Sequence, residues 1–150
     1  MKNLKQILIN SKKKKNKIVF TNGCFDIIHL SHVTLLKKAR SMGGKLIVGL
    51  NSDTSVKKLK GAKRPINGEL ARKKILESIR WVDKVIIFDE LTPKELIEKV
   101  NPDILIKGGD YKESEIVGAD FVKDNGGKVI VYPYIPGFST TNIINKIKRL

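Results

Sequence analysis

The sequence predicts a single α/β domain built on a doubly wound, five-stranded parallel sheet. Strand-like and helix-like segments alternate five times along the 150 residues, which is typical of parallel sheets with helical crossovers. The strand-like segments are continuous apolar runs rather than alternations of apolar and polar residues, so both faces of the sheet are expected to be covered. With 41% hydrophobic residues and no internal repeat, the chain has the composition of one globular domain.

The predicted elements follow one another in a regular order. Leu4, Ile7 and Leu8 lie on one face of a short helix, which belongs to a basic N-terminal extension over residues 1–16. Apolar and β-branched runs predict strands at 17–21, 45–51, 84–88, 103–109 and 128–134. Helical patterns predict helices at 31–40, 68–81, 115–123 and from Ser139 or Thr140 onward, with a short helical piece within 53–67.

Caps and breakers set the expected ends of these elements. Asn22-Gly23 closes the first strand with residues that tolerate a turn, and Gly43-Gly44 stops the helix that follows. Thr92-Pro93 predicts a helix with threonine as its N-cap and proline at its first position. In sheets of this kind, ligands bind beyond the carboxyl ends of the strands, near the point where the strand order reverses.

The chain is strongly basic. Thirty Lys and Arg residues against fifteen Asp and Glu residues give a formal charge of +15, which favours anionic partners such as nucleic acids, anionic lipids or phosphorylated small molecules. Solvated surface lysines explain the same composition, and Lys12–Lys15 with Lys17 are interpreted as a solvated helix end. No run approaches the roughly 18 to 20 apolar residues of a membrane span, and no signal peptide is recognisable. The single cysteine fits a reducing cytoplasm.

The segment TNGCFDIIHLSH, residues 21–32, contains both histidines and the only cysteine. His29 and His32 are three positions apart where a helix is expected to begin, so both imidazoles would face the same way beside free backbone N–H groups that favour anions. This arrangement predicts a phosphate clamp. A metal would need a third and a fourth ligand, so no metal site is predicted. Cys24 is interpreted as a small buried residue, and Asp26 either forms the turn or orients a histidine.

The last strand end carries hydroxyl groups. Ser139, Thr140 and Thr141 precede the terminal helix, where such residues either cap the helix or bind a phosphate. Ordinary capping explains them in isolation. Because the first and last strand ends are expected at the same edge of the sheet, these hydroxyls become candidates for the same ligand.

Charged and glycine residues between these two segments supply further candidates. Lys60 and Lys63 lie in the loop after the second strand, and as a charge cluster alone this would be a solvated loop. Arg72 and Arg80 are eight positions apart on the predicted helix 68–81, on roughly one face. KGGDY, residues 107–111, offers glycines for close approach to a base and Asp110 for hydrogen bonding, although a plain turn explains it equally well.

The first segment resembles the G-x-F-D-x-x-H-x-G-H signature of the cytidylyltransferase-like nucleotidyltransferases, with Ser31 in place of the second glycine. GFSTTNI, residues 137–143, is similar to the second signature of that family. The resemblance implies a Rossmann-like fold and a nucleotide site. It implies catalytic roles for His29, His32 and Lys60 or Lys63. It implies nucleotide contacts from Asn22, Gly23, Cys24, Phe25, Asp26, Gly108, Gly109, Asp110, Ser139, Thr140 and Thr141, and acceptor contacts from Asp53, Arg72 and Arg80.

The whole chain from residue 17 to about 148 resembles the adenylyltransferases that form ADP-heptose for lipopolysaccharide cores. That resemblance implies transfer of AMP from ATP to D-glycero-β-D-manno-heptose 1-phosphate with release of pyrophosphate, Mg²⁺ carried by the triphosphate, and a homodimer. It implies neither nucleic acid nor membrane as a partner. The nearest alternative is a CTP-dependent transfer to glycerol 3-phosphate or a similar alcohol phosphate. A basic nucleic-acid-binding module is the alternative from another class, although aromatic residues are only 6% of the chain.

Overall fold

Five parallel strands form one sheet in the computed structural model, which describes residues 3–150. The strands are β1 Ile18–Gly23, β2 Lys45–Asn51, β3 Lys84–Phe88, β4 Ile104–Gly108 and β5 Lys128–Tyr132. Their order in the sheet is β3-β2-β1-β4-β5. The predicted doubly wound, Rossmann-like α/β fold is therefore confirmed. The first two residues of the predicted basic extension, Met1 and Lys2, lie outside the described residues.

Seven α-helices connect and cover the strands. They are α1 Leu4–Lys13, α2 Leu30–Ser41, α3 Asp53–Lys60, α4 Glu69–Glu77, α5 Lys94–Val100, α6 Ala119–Asp124 and α7 Thr140–Ile147 among the described residues, with a 3₁₀ turn at Glu113–Glu115. None of the helices within residues 3–150 combines the length and apolar character needed to cross a membrane.

Three helix boundaries differ from the sequence prediction. α4 ends at Glu77 instead of position 81. The chain leaves the helix there because Ile79, Trp81 and Val82 pack against the core before β3 begins. The predicted helix 115–123 is divided at Gly118, whose φ of 85° is incompatible with a continuous helix. The N-cap of α5 is Pro93 rather than Thr92.

The sheet has two covered faces, as its apolar strands predict. Here "α2 face" means the face covered by α2 and α4, and "α5 face" means the face covered by α1, α5 and α6. Along β1 and β4 the side chains alternate between them: Val19 and Ile106 belong to the core of the α2 face, whereas Phe20 and Leu105 belong to the core of the α5 face.

The strand order reverses at β1 and β4. From β1 the chain builds the sheet outward through β2 and β3, and then returns to add β4 and β5 on the other side. The two strands diverge at their carboxyl ends: their pairing covers Val19–Ile104 and Phe20–Leu105 only. This opening at the switch point is where sheets of this type bind ligands.

Candidate active site

A cavity of about 660 Å³ occupies the switch point at the carboxyl ends of β1 and β4. Its size is that of a site for a small-molecule ligand. Of the residues singled out from the sequence, the cavity is lined by Asn22, Gly23, Cys24, Phe25, Asp26, His29, His32, Lys60, Gly108, Ser139, Thr140 and Thr141.

The remaining sequence candidates do not line this cavity. Lys63 is exposed in the turn after α3, and Asp110 is exposed after the end of β4. Arg80 is exposed in the turn beyond α4, so the interpretation that it shares a helix face with Arg72 is wrong, because the helix ends at Glu77. Gly109 has a φ of 131°, which favours glycine, and a Cβ at this position would lie 2.8 Å from the Tyr111 ring.

The two histidines form a stacked pair at the start of α2. His29 is the N-cap residue of the helix, and His32 lies in its first turn. The ring centroids are 3.7 Å apart with an interplanar angle of 24°. The Phe25 ring packs against the His32 ring, with 4.9 Å between the two centroids. Phe25 itself has a φ of 44°, a costly conformation for a bulky residue, and this strained turn carries the chain from β1 to the histidine pair.

Both imidazoles are held in the neutral form. Burial lowers the pKa of His32 to about 3, and the neighbouring His29 adds to this effect, while a hydrogen bond with the Ile27 backbone opposes it. Burial also lowers the pKa of His29. The Nδ1 atoms of both rings are buried without a hydrogen-bond partner among the described residues. Both neutral rings line the cavity, where they are placed to contact a ligand that enters it.

The hydroxyl groups at the start of α7 have different roles. Ser139 is the N-cap, and its Oγ accepts a hydrogen bond of 3.0 Å from the Asn142 N–H. Thr140 is buried, and its Oγ1 donates to the Ile27 carbonyl oxygen at 3.3 Å. Thr141 is exposed at the cavity. The start of α7 is thereby fastened beside the histidine pair, which brings the two segments singled out in the sequence to one site.

Ser31 strengthens this connection. Its Oγ lies 3.1 Å from the carbonyl oxygen of Phe138, and it accepts a hydrogen bond of 3.2 Å from the Ile135 N–H. Ser31 is buried, so this side chain neither caps α2 nor stands free in the cavity. The residue that departs from the family signature therefore ties the first turn of α2 to the loop that precedes α7.

Asp26 organises the loop after α3 rather than a histidine. Its carboxylate accepts hydrogen bonds from the Ile66 and Asn67 N–H groups and from Arg64 Nε, at 2.6 to 2.9 Å. Burial favours the neutral acid, but these hydrogen bonds outweigh it, and the pKa of Asp26 is lowered. The interpretation that Asp26 orients a histidine is wrong, because Arg64 and the 66–67 backbone use its oxygens.

Arg72 is a buried connector of three segments. Its guanidinium donates to the carbonyl oxygens of Cys24, Asn51 and Asn67 at 2.6 to 2.9 Å, and to Asp53 Oδ1 at 2.8 Å. The side chain has no exposed surface. With these acceptors in place, Arg72 and Asp53 stabilise the carboxyl ends of β1 and β2 from beneath the site.

Sequence reasoning missed Lys107. This lysine is in β4, lines the cavity, and its Nζ donates to the Asn22 carbonyl oxygen at 3.2 Å. Burial lowers its pKa. The available signal was a lysine near the end of an otherwise apolar run, DILIKGG, because a charged residue inside a buried strand needs a partner.

The described residues contain no group of three or more His, Cys, Asp and Glu side chains that could hold a metal ion. The hydroxyls, imidazoles and ammonium groups around the cavity fit an anion better than they fit a cation. They are therefore compatible with Mg²⁺ only where the metal enters bound to the oxygens of a phosphorylated ligand.

Comparison with known proteins matches this geometry. The model of the family described as cytidylyltransferase-like matches residues 20–146. The chain belongs to the cytidylyltransferase-like family. Its membership places it among the nucleotidyltransferases and confirms the resemblance that the two signatures predict.

Individual relatives give a closer comparison. The chain is 53% identical over 148 residues to the bifunctional protein HldE of Campylobacter jejuni subsp. doylei, covering 99% of this chain and 31% of that protein. It is 50% identical over 143 residues to the bifunctional protein HldE of Koribacter versatilis, covering 95% of this chain and 29% of that protein. The chain thus spans less than a third of the length of these relatives.

Solved structures share the architecture. A lipopolysaccharide core biosynthesis protein from Thermoplasma volcanium GSS1 superposes with a TM-score of 0.66 at 26% identity, covering 80% of this chain and 97% of that one. A pantoate-beta-alanine ligase from Francisella tularensis superposes with a TM-score of 0.60 at 20% identity, covering 100% of this chain and 77% of that one. The second similarity concerns the fold alone.

Proposed function

We propose that this chain transfers AMP from ATP to D-glycero-β-D-manno-heptose 1-phosphate, forming ADP-heptose for lipopolysaccharide cores and releasing pyrophosphate. One observation carries the proposal: the stacked histidines and the hydroxyls at the start of α7 meet at a single cavity at the switch point of the sheet. The HldE relatives and the sequence resemblance from residue 17 to about 148 support the choice of substrates.

The reaction needs charge neutralisation and alignment rather than a nucleophile from the protein. The acceptor phosphate is already anionic at neutral pH, so it attacks without a general base. In-line displacement at the α-phosphorus of ATP then requires donors that stabilise the charge developing on the α-phosphate and the leaving pyrophosphate.

The residues around the cavity have these donors. In this proposal His29 and His32 contact the α-phosphate oxygens, and Thr141 with the backbone at the start of α7 contacts the leaving phosphates. Lys60, which lines the cavity, supplies positive charge to the triphosphate, and this favours it over Lys63. Mg²⁺, bound through the phosphate oxygens, would supply further charge neutralisation when present.

The same proposal covers partners and location. The chain acts in the cytoplasm as a homodimer, without nucleic acid or a membrane surface as a partner. Sedimentation velocity over a hundredfold range of protein concentration tests the dimer, because a single boundary at monomer mass throughout that range would contradict it.

Pyrophosphate release tests the reaction. The protein is assayed with ATP and with CTP, each in combination with heptose 1-phosphate and with glycerol 3-phosphate. The proposal expects turnover with ATP and heptose 1-phosphate and none with the other three pairs. Turnover with CTP and glycerol 3-phosphate instead would establish the alternative transfer, and no turnover with any pair would contradict both.

A further inference from the structure

Lys107 is a half-buried cation to which the proposed mechanism gives no task. Its amino group has one protein acceptor, the Asn22 carbonyl oxygen at 3.2 Å, and the Tyr111 ring lies 5.9 Å from Nζ. None of the ion pairs among the described residues involves Lys107. A partly desolvated ammonium without a counter-charge is unfavourable, and an anionic ligand beside it would supply that counter-charge.

The Lys107 side chain lies on the α5 face of the sheet, whereas the histidines lie at the start of α2, on the α2 face. A Cβ at Gly108 would meet Leu35 of α2 at 3.1 Å, so Gly108 is on the α2 face and the preceding residue, Lys107, is on the α5 face. Asn22 is on the α5 face too, since a Cβ at Gly49 would meet both Asn22 and Leu96 of α5.

The cavity extends from the α2 face to the α5 face, past the carboxyl ends of β1 and β4. His29 and His32 belong to α2, and Thr140 is fastened to the segment just before α2. Other lining residues come from the α5 side: those before α5, at 91–93, and those from the end of the 3₁₀ turn towards α6, at 115–117. One ligand can therefore lie beside the histidines while a second lies beside Lys107.

We propose that Lys107 binds the phosphate of the acceptor and so selects a phosphorylated molecule as the substrate that attacks. This inference rests on the proposed function. An acceptor phosphate oxygen forms a bond to the α-phosphorus, the bond from that phosphorus to the β-bridging oxygen breaks, and pyrophosphate leaves with the electron pair. In-line displacement places the attacking oxygen opposite the leaving group. With pyrophosphate beside α7, the attacking phosphate enters from the α5 face, where the ammonium of Lys107 lies.

Three variants of the full chain test this. Lys107→Met removes the charge and the hydrogen bond, whereas Lys107→Gln removes the charge and keeps a donor for the Asn22 carbonyl. Lys128→Met is the matched control, because Lys128 is exposed at the amino end of the adjacent strand β5. Thermal unfolding of each variant verifies the fold, and Lys107→Gln carries the test if Lys107→Met does not fold.

The steady-state measurement separates the two substrates. The KM for heptose 1-phosphate should rise by about ten- to a hundredfold in Lys107→Met and Lys107→Gln, which is the size of a lost charge-assisted hydrogen bond. The KM for ATP should stay within about twofold of wild type, since no contact with ATP is removed. Lys128→Met should retain both values. An unchanged KM for the acceptor in Lys107→Gln, or an equal rise in both KM values, would overturn the inference.

A binding measurement distinguishes failure of this inference from failure of the proposed function. The protein saturated with a non-hydrolysable ATP analogue is titrated calorimetrically with inorganic phosphate. Phosphate binding that is lost in Lys107→Gln and kept in Lys128→Met supports the assignment even if heptose 1-phosphate is not the acceptor. Equal phosphate binding by the two variants overturns it, even if wild-type protein produces ADP-heptose.

Discussion

At the scale of single residues, the site depends on half-buried side chains whose polar atoms lack complete sets of partners. The histidine rings are stacked with unpaired Nδ1 atoms, and burial lowers the pKa of His32 to about 3. A neutral imidazole carries no charge, so it can contact a phosphate oxygen without forming a permanent ion pair. If the imidazoles bind the substrate phosphate weakly, they can bind it more strongly as charge develops in the transition state, which accelerates the reaction.

Replacement of His32 should impair the chemical step. In His32→Ala, turnover is expected to fall by about a hundredfold or more because a contact to the reacting phosphate is lost, while the fold is kept. Pyrophosphate release under saturating substrates measures this. Lys38→Ala, on the exposed side of the same helix, is the control and should retain turnover. Near wild-type release from His32→Ala would remove this histidine from the mechanism.

Protonation of His32 should also make stability depend on pH. In the unfolded chain this imidazole takes up a proton near pH 6.5, whereas in the folded chain it does so only near pH 3. Between these values the unfolded state binds the extra proton, so the free energy of unfolding should decrease by up to about 1.4 kcal/mol for each pH unit as the pH falls.

Urea denaturation of wild type and His32→Gln between pH 7 and pH 4.5 measures this dependence. The variant should show a shallower loss of stability. The range stays above the normal pKa of carboxylates, so Asp26 contributes little to the difference. Parallel curves for the two proteins would show that His32 titrates normally in the folded state.

Arg72 illustrates a different use of burial. Its guanidinium contacts three backbone carbonyls and Asp53, so Arg72→Met leaves three carbonyl oxygens without their donor. The free energy of unfolding is expected to decrease by about 3 kcal/mol. Arg80→Met is the matched control, and because Arg80 is exposed it should change stability by less than about 0.5 kcal/mol. Equal effects of the two substitutions in urea denaturation would contradict the assignment.

At the scale of elements, the site is an assembly of segment ends. The N-cap and first turn of α2 supply the histidines, β4 supplies Lys107, and the N-cap and first turn of α7 supply the hydroxyls. Ser31 holds two of these together through its contacts with Ile135 and Phe138. The α7 helix is otherwise amphipathic and short, so its position over the cavity depends on such contacts.

Loss of the Ser31 hydroxyl should loosen the segment that leads into α7. In Ser31→Ala, backbone amides of residues 135–147 are expected to exchange with solvent severalfold faster, because one buried hydrogen bond is worth about 1 kcal/mol. Hydrogen–deuterium exchange followed by peptide mass spectrometry measures this. Ser41→Ala removes an exposed hydroxyl at the end of the same helix and should leave that segment unchanged. Unchanged exchange in Ser31→Ala would show that the segment is held by other contacts.

At the scale of the whole molecule, the excess of positive charge has to be reconciled with a small-molecule site. Only a few of the thirty Lys and Arg residues line the cavity, among them Lys60, Arg64 and Lys107. The field of the remaining cations attracts polyanions without specifying a site, and it also concentrates anionic substrates near the cavity.

Nucleic-acid binding should therefore be weak and independent of the site. In fluorescence anisotropy with a single-stranded and a duplex oligonucleotide, affinity is expected to fall steeply with salt and to be unaffected by saturating ATP. His32→Ala should bind the oligonucleotides as wild type does. Tight binding at physiological salt that ATP displaces would instead favour the nucleic-acid-binding alternative.

Much of the fold could be predicted because the determining patterns are local. Five apolar runs separated by helical patterns define the strands, and the predicted positions 45–51 and 84–88 coincide with β2 and β3. Boundaries were wrong where tertiary packing overrode propensity, as at the end of α4, where Trp81 packs on the core instead of extending the helix.

The sequence by itself determined the strands, the pairing of His29 with His32 and the hydroxyl-rich start of α7, since each depends on residues that are neighbours in the chain. Only the tertiary structure decided that Ser31 contacts Phe138, 107 positions away, that Lys107 contacts Asn22, 85 positions away, and that Asp26 binds Arg64 rather than a histidine. The physical reason is that these contacts follow from strand order and crossover geometry, which bring distant segment ends to one edge of the sheet and which no local pattern specifies.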